Sequence, residues 1–466
     1  MPAGIAHLTP AERKARGKTA RVALPLKALA DLNTAERASA VQLLQSQDPS
    51  RVPELVPIRY GRMSASPFAF YRGAALVMAS DLASNTNSGL TVQLCGDAHI
   101  SNFGVYSSPE RRLVFDINDF DETHLGPFEW DVKRMAASVA IASQESGFSL
   151  KKTRTAVRAG AQSYREAMRS LAMSGNLAVW YSHLDASELL GVVRQTLDER
   201  RARSTSAMLD KSRARDSIHA VNRLAKVVDG QLRIVSQPPL VTPIEDFLSP
   251  EQVDETMEYL REMIRGYRST LQWDRRHLVE QFRFVHMARK VVGVGSVGTR
   301  SWLLLFEGVD RKDPLVLQAK EAQASVLERF AGPSRFEHQG QRVVNGQQFM
   351  QATSDIFLGW QTARAMDGKS HDFYIRQLRD GKGSVDPAGM KADGLALYAR
   401  ICGATLARAH ARSGDRIAIA SYLGSGERFE DAITDYALQY TELNASDYQM
   451  LMSGIGDGSI TAIRDL

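Results

Sequence analysis

Between residues 94 and 131 the chain carries Asp97, His99, Asn102, Asp116, Asn118, Asp119, Asp121 and Glu122, set between short apolar runs. Carboxylates held this close repel one another unless a cation or a proton offsets them. The stretch therefore reads as a site for a metal ion and phosphate. Asp97 and Asn102 stand five apart in G-D-x-H-x-x-N. A turn-like loop of that length can aim a carboxylate and an amide at one point. Asp97 would accept a hydroxyl proton while the Asn102 amide oxygen binds Mg²⁺. A further carboxylate would complete the metal shell, since Mg²⁺ is held by one or two carboxylates plus substrate phosphates. No Cys or His stands at ligand spacing from His99, so His99 is expected to fix the loop by hydrogen bonds.

A second group lies about 200 residues on. Gly293, Gly295 and Gly298 form G-x-G-x-x-G. β-rich residues follow it and no βαβ unit is readable, which argues against a dinucleotide fold. The pattern fits a glycine flap between two antiparallel strands, covering phosphates with backbone N–H groups. Lys320 closes a later strand and can reach those phosphates as a point charge. It needs an acidic partner from the next helix; Glu328 is the first candidate and Glu337 the second.

The elements that must position these groups follow from pattern. Thr9-Pro10-Ala11-Glu12 has the form of a helix start. A helix is expected over 34–47, with Asn33 and Glu36 as a capping box, then a structured loop over 59–67 and a helix over 68–82. Arg59, Arg62 and Arg72 precede the acidic stretch and could reach a phosphate or pair with its carboxylates. Strands are expected at 90–94, 103–106 and 112–117, and a helix at 130–143. Residues 150–278 read as mostly helical, with a basic solvated face over 200–226. Strands follow at 302–307, 315–319 and 373–378, with a helix over 322–330. Val343 to Gln347 carries the Asn-Gly hairpin signal, 381–387 reads as a linker, and 395–411 is an amphipathic helix.

The chain has 466 residues, enough for two or three lobes. Hydrophobic content of 44% and charged content of 24% are ordinary for a soluble protein. A net charge of +5 suits an anionic ligand, but 58 basic residues against 53 acidic ones make a mixed surface, so no nucleic-acid partner is expected. Cys95 and Cys402 build neither a disulfide framework nor a metal site. The first 21 residues show no signal-peptide apolar run, and no stretch approaches the roughly 20 apolar residues that span a bilayer. The expectation is a cytoplasmic protein with no membrane partner.

GDAHISNFG followed by NDFDETHLGPFEWD resembles the catalytic segment of kinase-like phosphotransferases, the aminoglycoside and choline kinase branch. That resemblance implies Asp97 as catalytic base, Asn102 as a Mg²⁺ ligand, Asp119 as the main metal carboxylate and Asp131 as a buried residue bracing the loop. Asp116 competes with Asp119; Asp119 is preferred because the hairpin at 107–112 can absorb extra length, and strand alternation puts the two on opposite faces. Over most of residues 50–420 the chain also resembles a bacterial family of unassigned function, domain of unknown function 2252, through SPFAFYRGAA, the acidic stretch and VGVGSVGTR…LQAKEA.

The order of motifs departs from the kinase pattern, because the catalytic loop precedes the glycine loop. A circular permutation restores it. Read from Phe282, the chain runs glycine loop, Lys320, hinge-like DFYIRQL and helix LALYARICGATLARAHA, then resumes at TVQLCGD. The unpermuted alternative places the base at Asp415, after His410. The expected fold is α+β, kinase-like, two-lobed and circularly permuted. Residues 1–50 form a helical extension, 51–281 a helical lobe with the catalytic and metal loops, 282–380 a small antiparallel nucleotide-binding lobe, and 381–466 a helical region packed on the large lobe. The expected function is ATP- and Mg²⁺-dependent phosphoryl transfer to a hydroxyl of a small molecule or protein. The alternatives are a pseudokinase-like nucleotide-binding regulatory module and a metal-dependent phosphohydrolase.

Overall fold

The structure, a computed structural model, describes residues 7–214, 221, 223–291, 293–364, 368–378 and 381–464. It is a mixed α+β fold whose strands all pair antiparallel. Thirteen strands are described. β1 (Thr91–Leu94) pairs with β4 (His124–Pro127). β2 (Phe103–Ser107) and β3 (Leu113–Ile117) form the hairpin inside the acidic stretch. β5 (Ala225–Val228) and β6 (Gln231–Ile234) form a second hairpin. The large sheet has the order β11-β12-β10-β9-β8-β7. Its strands are β7 (Val241–Pro243), β8 (Arg283–Lys290), β9 (Ser301–Glu307), β10 (Pro314–Glu321), β11 (Gly359–Arg364) and β12 (Ser370–Gln377). β13 (Gly383–Ser384) joins the edge of β2.

Strand alternation sorts the large sheet into two faces. Met287, Trp302, Leu304, Phe306, Leu317, Phe373 and Ile375 pack with Leu260, Met263 and Ile264 of the helix Pro250–Thr270. Ala288, Leu303, Leu305 and Val316 pack with Leu232 and Ile234 of β6. Lys290, Gln318, Lys320, Tyr374 and Arg376 fall on that second face by the same period of two, where the sheet turns toward the helical body. The body is one large core around the helices Phe128–Glu145, Leu150–Ala172, Ala392–Ser413, Arg416–Leu423 and Arg428–Gly456. Among the described residues no helix is long and apolar enough to cross a membrane.

Several expected elements change. The helix expected over 34–47 shrinks to Ala40–Gln45, capped by Ser39, because Arg37 turns inward to bridge Asp81 and Asp447. The expected loop over 59–67 contains the end of the helix Val56–Met63, and the helix at 68–82 breaks at Ala74 into Pro67–Gly73 and Ala75–Ala83. The Asn-Gly pair at 345–346 lies inside the helix Gln339–Met350; burial of Val343, Val344 and Met350 outweighs the local turn preference. The expected linker at 381–387 contributes β13. The sheet recruits β7 and the helix Pro250–Thr270, both of which the sequence alone assigns to the helical lobe. The expected basic helix over 200–226 is described as Glu199–Arg213 and β5; residues 215–220 and 222 lie outside the described residues.

Candidate functional site

The loop after β1 is set by its backbone. Gly96 has φ +83°, and a Cβ there would meet the Glu122 carbonyl oxygen at 2.1 Å, so only glycine fits. The buried Asp131 carboxylate accepts from the backbone N–H of Cys95 at 2.8 Å and of Gly96 at 3.0 Å. His410 Nε2 lies 3.2 Å from the same carboxylate. Asp131 thus fixes the two residues that precede Asp97.

Asp97 Oδ1 accepts from Arg134 Nε at 2.8 Å and lies 2.7 Å from Arg134 Nη2. Arg134 is itself buried, stacked over the Tyr71 ring at 3.9 Å and bonded through Nη2 to the Tyr71 carbonyl at 2.8 Å. Burial disfavours its charge, but Asp97 and Tyr71 outweigh that and push its pKa up. Asn102 Nδ2 donates to the Asp97 carbonyl oxygen at 2.8 Å, which leaves the amide oxygen for a ligand. His99 departs from expectation. Its backbone N–H bonds the Asp97 carbonyl at 2.8 Å, but the ring does not brace the loop. Nε2 stands 3.6 Å from Asp97 Oδ2, beyond hydrogen-bond length, and Nδ1 is buried without a partner. Burial pulls the His99 pKa down to about 4, so the ring is neutral.

Asp119 and Asp121 follow β3 and meet the sheet. Lys320 Nζ contacts Asp121 Oδ2 and lies 3.9 Å from Asp119 Oδ2. Tyr374 OH donates to Asp121 Oδ1 at 2.7 Å, and Ser296 Oγ of the glycine loop donates to Oδ2 at 3.2 Å. Burial works to raise the Asp119 pKa, but Lys320, Arg376 and Lys382 outweigh it and hold the carboxyl low. Burial likewise opposes the Lys320 charge, and Asp119 and Asp121 more than restore it. Asp116 faces elsewhere. It is buried on β3, bonded to the Ile117 N–H at 2.9 Å and influenced by Arg408 and Arg412, and burial pushes its pKa up. It lines neither of the cavities described below.

Glu328 is not the partner of Lys320. It accepts from the backbone N–H of Ser325 at 3.2 Å and stands 3.8 Å from Arg342 Nε. The helix Gln339–Met350 carries no carboxylate. The lysine takes its counterions from the acidic stretch instead. Asp415 caps the helix Arg416–Leu423, accepting from the Ala418 N–H at 3.1 Å, and lines neither cavity.

Gly293, Gly295 and Gly298 lie between β8 and β9, as a flap requires. Their carbonyls are tied back to the chain before the acidic stretch. Arg62 Nη1 donates to the Gly293 oxygen at 2.6 Å, Arg51 Nη1 to the Gly295 oxygen at 3.0 Å, and the Val52 N–H to the Gly298 oxygen at 2.8 Å. Burial lowers the Arg51 pKa to about 9, with the nearby Arg59 adding to the effect. Of the three arginines singled out earlier, Arg59 is buried among Leu44, Asp48, Gln47 and Gly73 and is structural.

Two cavities meet at Asp119, Gly293 and Ser296. The larger, about 650 Å³, lies on the sheet side and is lined by Lys290, Lys320, Arg376 and Lys382 among others. That volume is in the range of small-molecule sites, roughly 300–1,000 Å³. Burial and the neighbouring Arg376 pull the Lys382 pKa down to about 7. The smaller, about 130 Å³, is lined by Asp97, His99, Asn102, Arg72 and the underside of the glycine loop. Among the described residues no three His, Cys, Asp or Glu side chains converge as a ready metal site. Asn102 and Asp119 both line the smaller cavity and carry oxygen donors, a residue set that fits Mg²⁺ completed by phosphate oxygens.

Sequence reasoning missed Asp121, Arg134, Arg376 and Lys382 as members of the site. Asp121 is the second carboxylate of the run Asp119-Phe120-Asp121-Glu122. Arg134 follows Asp131 at helical spacing, and Arg376 shares a face of β12 with Tyr374. Nothing local marks Lys382.

A family model described as "Uncharacterized protein conserved in bacteria", domain of unknown function 2252, matches residues 51–453. No curated protein and no solved structure matches the chain.

Proposed function

The chain belongs to this bacterial family, and we propose that it is an ATP- and Mg²⁺-dependent phosphotransferase with a circularly permuted kinase-like fold. The observation that carries the reading is the meeting of Lys320 with Asp119, 3.9 Å apart, beside a cavity that Asp97, Asn102 and the glycine loop also line. Lys320 lies on the third strand counted from the one before the glycine loop, where protein kinases carry their nucleotide lysine. The permutation is supported at the point where its two ends must join. The Gln93 N–H of β1 donates to Ser413 Oγ at 3.2 Å, so the helix Ala392–Ser413 ends where the strand to the catalytic loop begins.

In this reading the larger cavity takes the nucleotide, and Lys320, Arg376 and Lys382 hold its phosphates. Mg²⁺ held by Asn102 and Asp119 would neutralise phosphate charge. Asp97 Oδ2, the carboxylate oxygen not used by Arg134, orients the acceptor hydroxyl and takes its proton. Catalysis is mostly positioning and charge stabilisation. The pairing of Asp97 with Arg134 favours one other reading, a nucleotide-binding module without transfer, because the guanidinium already occupies one oxygen of the carboxylate.

The test is ATP binding by calorimetry with and without Mg²⁺, alongside ADP formation, in wild type, Asp97→Ala and Lys320→Ala. The expectation is Mg²⁺-dependent binding that survives Asp97→Ala while turnover vanishes, and binding weakened at least about tenfold by Lys320→Ala, a loss of about 1.4 kcal/mol. Binding without turnover on any acceptor or on the protein itself would favour the binding module. Metal-dependent phosphatase activity indifferent to Lys320→Ala would replace both readings with a phosphohydrolase.

A further inference from the structure

Arg72 sits at the end of the helix Pro67–Gly73 and lines the smaller cavity with Asp97 and Asn102. Its Nε is buried with no hydrogen-bond partner, and among the described residues no hydrogen bond or ion pair engages its guanidinium. The contrast with its neighbours is sharp. Arg51 and Arg62 are spent on glycine-loop carbonyls, Arg59 on the Leu44 carbonyl and Asp48, and Arg134 on Asp97. Arg72 is half-buried, and a guanidinium partly withdrawn from water with no partner is poised for an anion that offsets the cost of its burial.

Its placement is not loose. The Tyr71 carbonyl accepts from Arg134 Nη2 at 2.8 Å, and Tyr71 OH donates to the Arg134 carbonyl at 2.7 Å. On the other side, a Cβ on Gly295 would lie 3.3 Å from the Arg72 carbonyl oxygen. The residue is thus held between the arginine that grips Asp97 and the underside of the glycine loop. Burial works against its charge, while Asp97, Asp386 and Asp119 act in its favour. Asp97 and Asp119 are the base and the metal carboxylate of the proposed reaction. The nucleotide phosphates have their own cations in the larger cavity, Lys320, Arg376 and Lys382. What remains for Arg72 is the group that moves between the two carboxylates.

We propose, resting on the phosphotransferase reading, that Arg72 is a catalytic residue that binds the phosphoryl group in transit from ATP to the acceptor. In that step the acceptor oxygen forms a bond to the γ-phosphorus, and the bond from that phosphorus to the β,γ-bridging oxygen breaks. The bond's electron pair leaves with ADP, and the acceptor's proton passes to Asp97. The Arg72 N–H groups donate to the equatorial oxygens, where charge is spread at the midpoint.

The test compares wild type, Arg72→Met and Arg72→Lys by Mg·ATP affinity, ADP formation and the affinity for Mg·ADP with and without aluminium fluoride, a mimic of the phosphoryl group in flight. The expected result is Mg·ATP affinity within about threefold of wild type, with ADP formation slowed about 10²–10³-fold in Arg72→Met. The extra affinity that aluminium fluoride gives to ADP should vanish in Arg72→Met and be partly kept in Arg72→Lys, which retains the charge but not the fork of donors. Unchanged aluminium fluoride enhancement in a folded variant overturns the proposal. So does a loss of Mg·ATP affinity as large as that of Lys320→Ala, since Arg72 would then be an ordinary phosphate ligand. If Arg72→Met does not fold, Arg72→Lys carries the same readout. A wild type that binds no Mg·ATP defeats the phosphotransferase reading itself, a result distinct from either of these.

Discussion

The two halves of the candidate site are built in different ways. The acidic half, from Asp97 to Asp131, is braced from within. Asp131 holds the backbone before Asp97, Asn102 holds the Asp97 carbonyl, and Arg134, one turn along the same helix, holds the Asp97 carboxylate. The cationic half is assembled from distant pieces. Lys320 comes from β10, Arg376 from β12 and Lys382 from the segment entering β13, and the glycine loop is tied down by Arg51 and Arg62 from far earlier in the chain. Chemistry supported by near neighbours leaves a spacing pattern in the sequence. Chemistry supported by a sheet face leaves only strand alternation, which any buried strand shares.

The sharpest way to break this contrast is inside the acidic half, where two aspartates three apart face opposite ways. Asp119→Ala should lower turnover about 10³-fold or more and abolish the Mg²⁺ dependence of ATP binding. Asp116→Ala should leave ATP affinity within about twofold, because its carboxylate lies near Arg408 and Arg412 and lines neither cavity. Calorimetry with and without Mg²⁺ reads both. Equal losses from the two substitutions would mean that the metal shell extends beyond the cavity wall described above.

Much of the acidic half was legible. G-D-x-H-x-x-N places Asp97 and Asn102 together, because that contact spans one loop. Asp131 beneath them follows only from the resemblance, since its bonds to Cys95 and Gly96 reach back over 36 and 35 residues. The glycine flap and Lys320 were legible as elements, but not the partner of Lys320. The sequence points to a helix glutamate, and Asp121 fills the role from about 200 residues away, which no local pattern encodes. The pattern points to a hydrogen-bonding His99 ring, but only the His99 backbone bonds within the loop, and its buried Nδ1 has no partner. The Asn-Gly pair at 345–346 signalled a turn and sits in a helix, a local preference overridden by burial of Val343 and Val344. The same physical difference gives a second prediction. Asp131→Ala would leave one buried and one part-buried N–H group and His410 without their acceptor, and should cost about 3 kcal/mol in urea unfolding. A loss below about 1 kcal/mol would show that the loop does not depend on this brace.

A smaller effect is expected at the seam between the halves. Glu122 Oε2 accepts from the Val326 N–H at 2.7 Å, and the Glu122 carbonyl accepts from Ser325 Oγ at 2.8 Å, so this residue joins the acidic stretch to the chain leaving β10. Burial raises its pKa from 4.5 to about 7, with the Val326 N–H and Arg342 opposing the shift. Between about pH 4.5 and pH 7 the folded protein therefore holds a proton that the unfolded chain has released. Stability falls as pH rises through that window, and the full penalty is present above it. Glu122→Gln keeps an oxygen to accept from Val326 and removes the charge. It should leave stability at pH 4.5 nearly unchanged and raise it at pH 8 by on the order of 1–3 kcal/mol. Urea unfolding at the two pH values checks this. A variant that loses as much stability as wild type between them would show that the ionised carboxylate is already stabilised by water or a cation in the smaller cavity, which Glu122 lines.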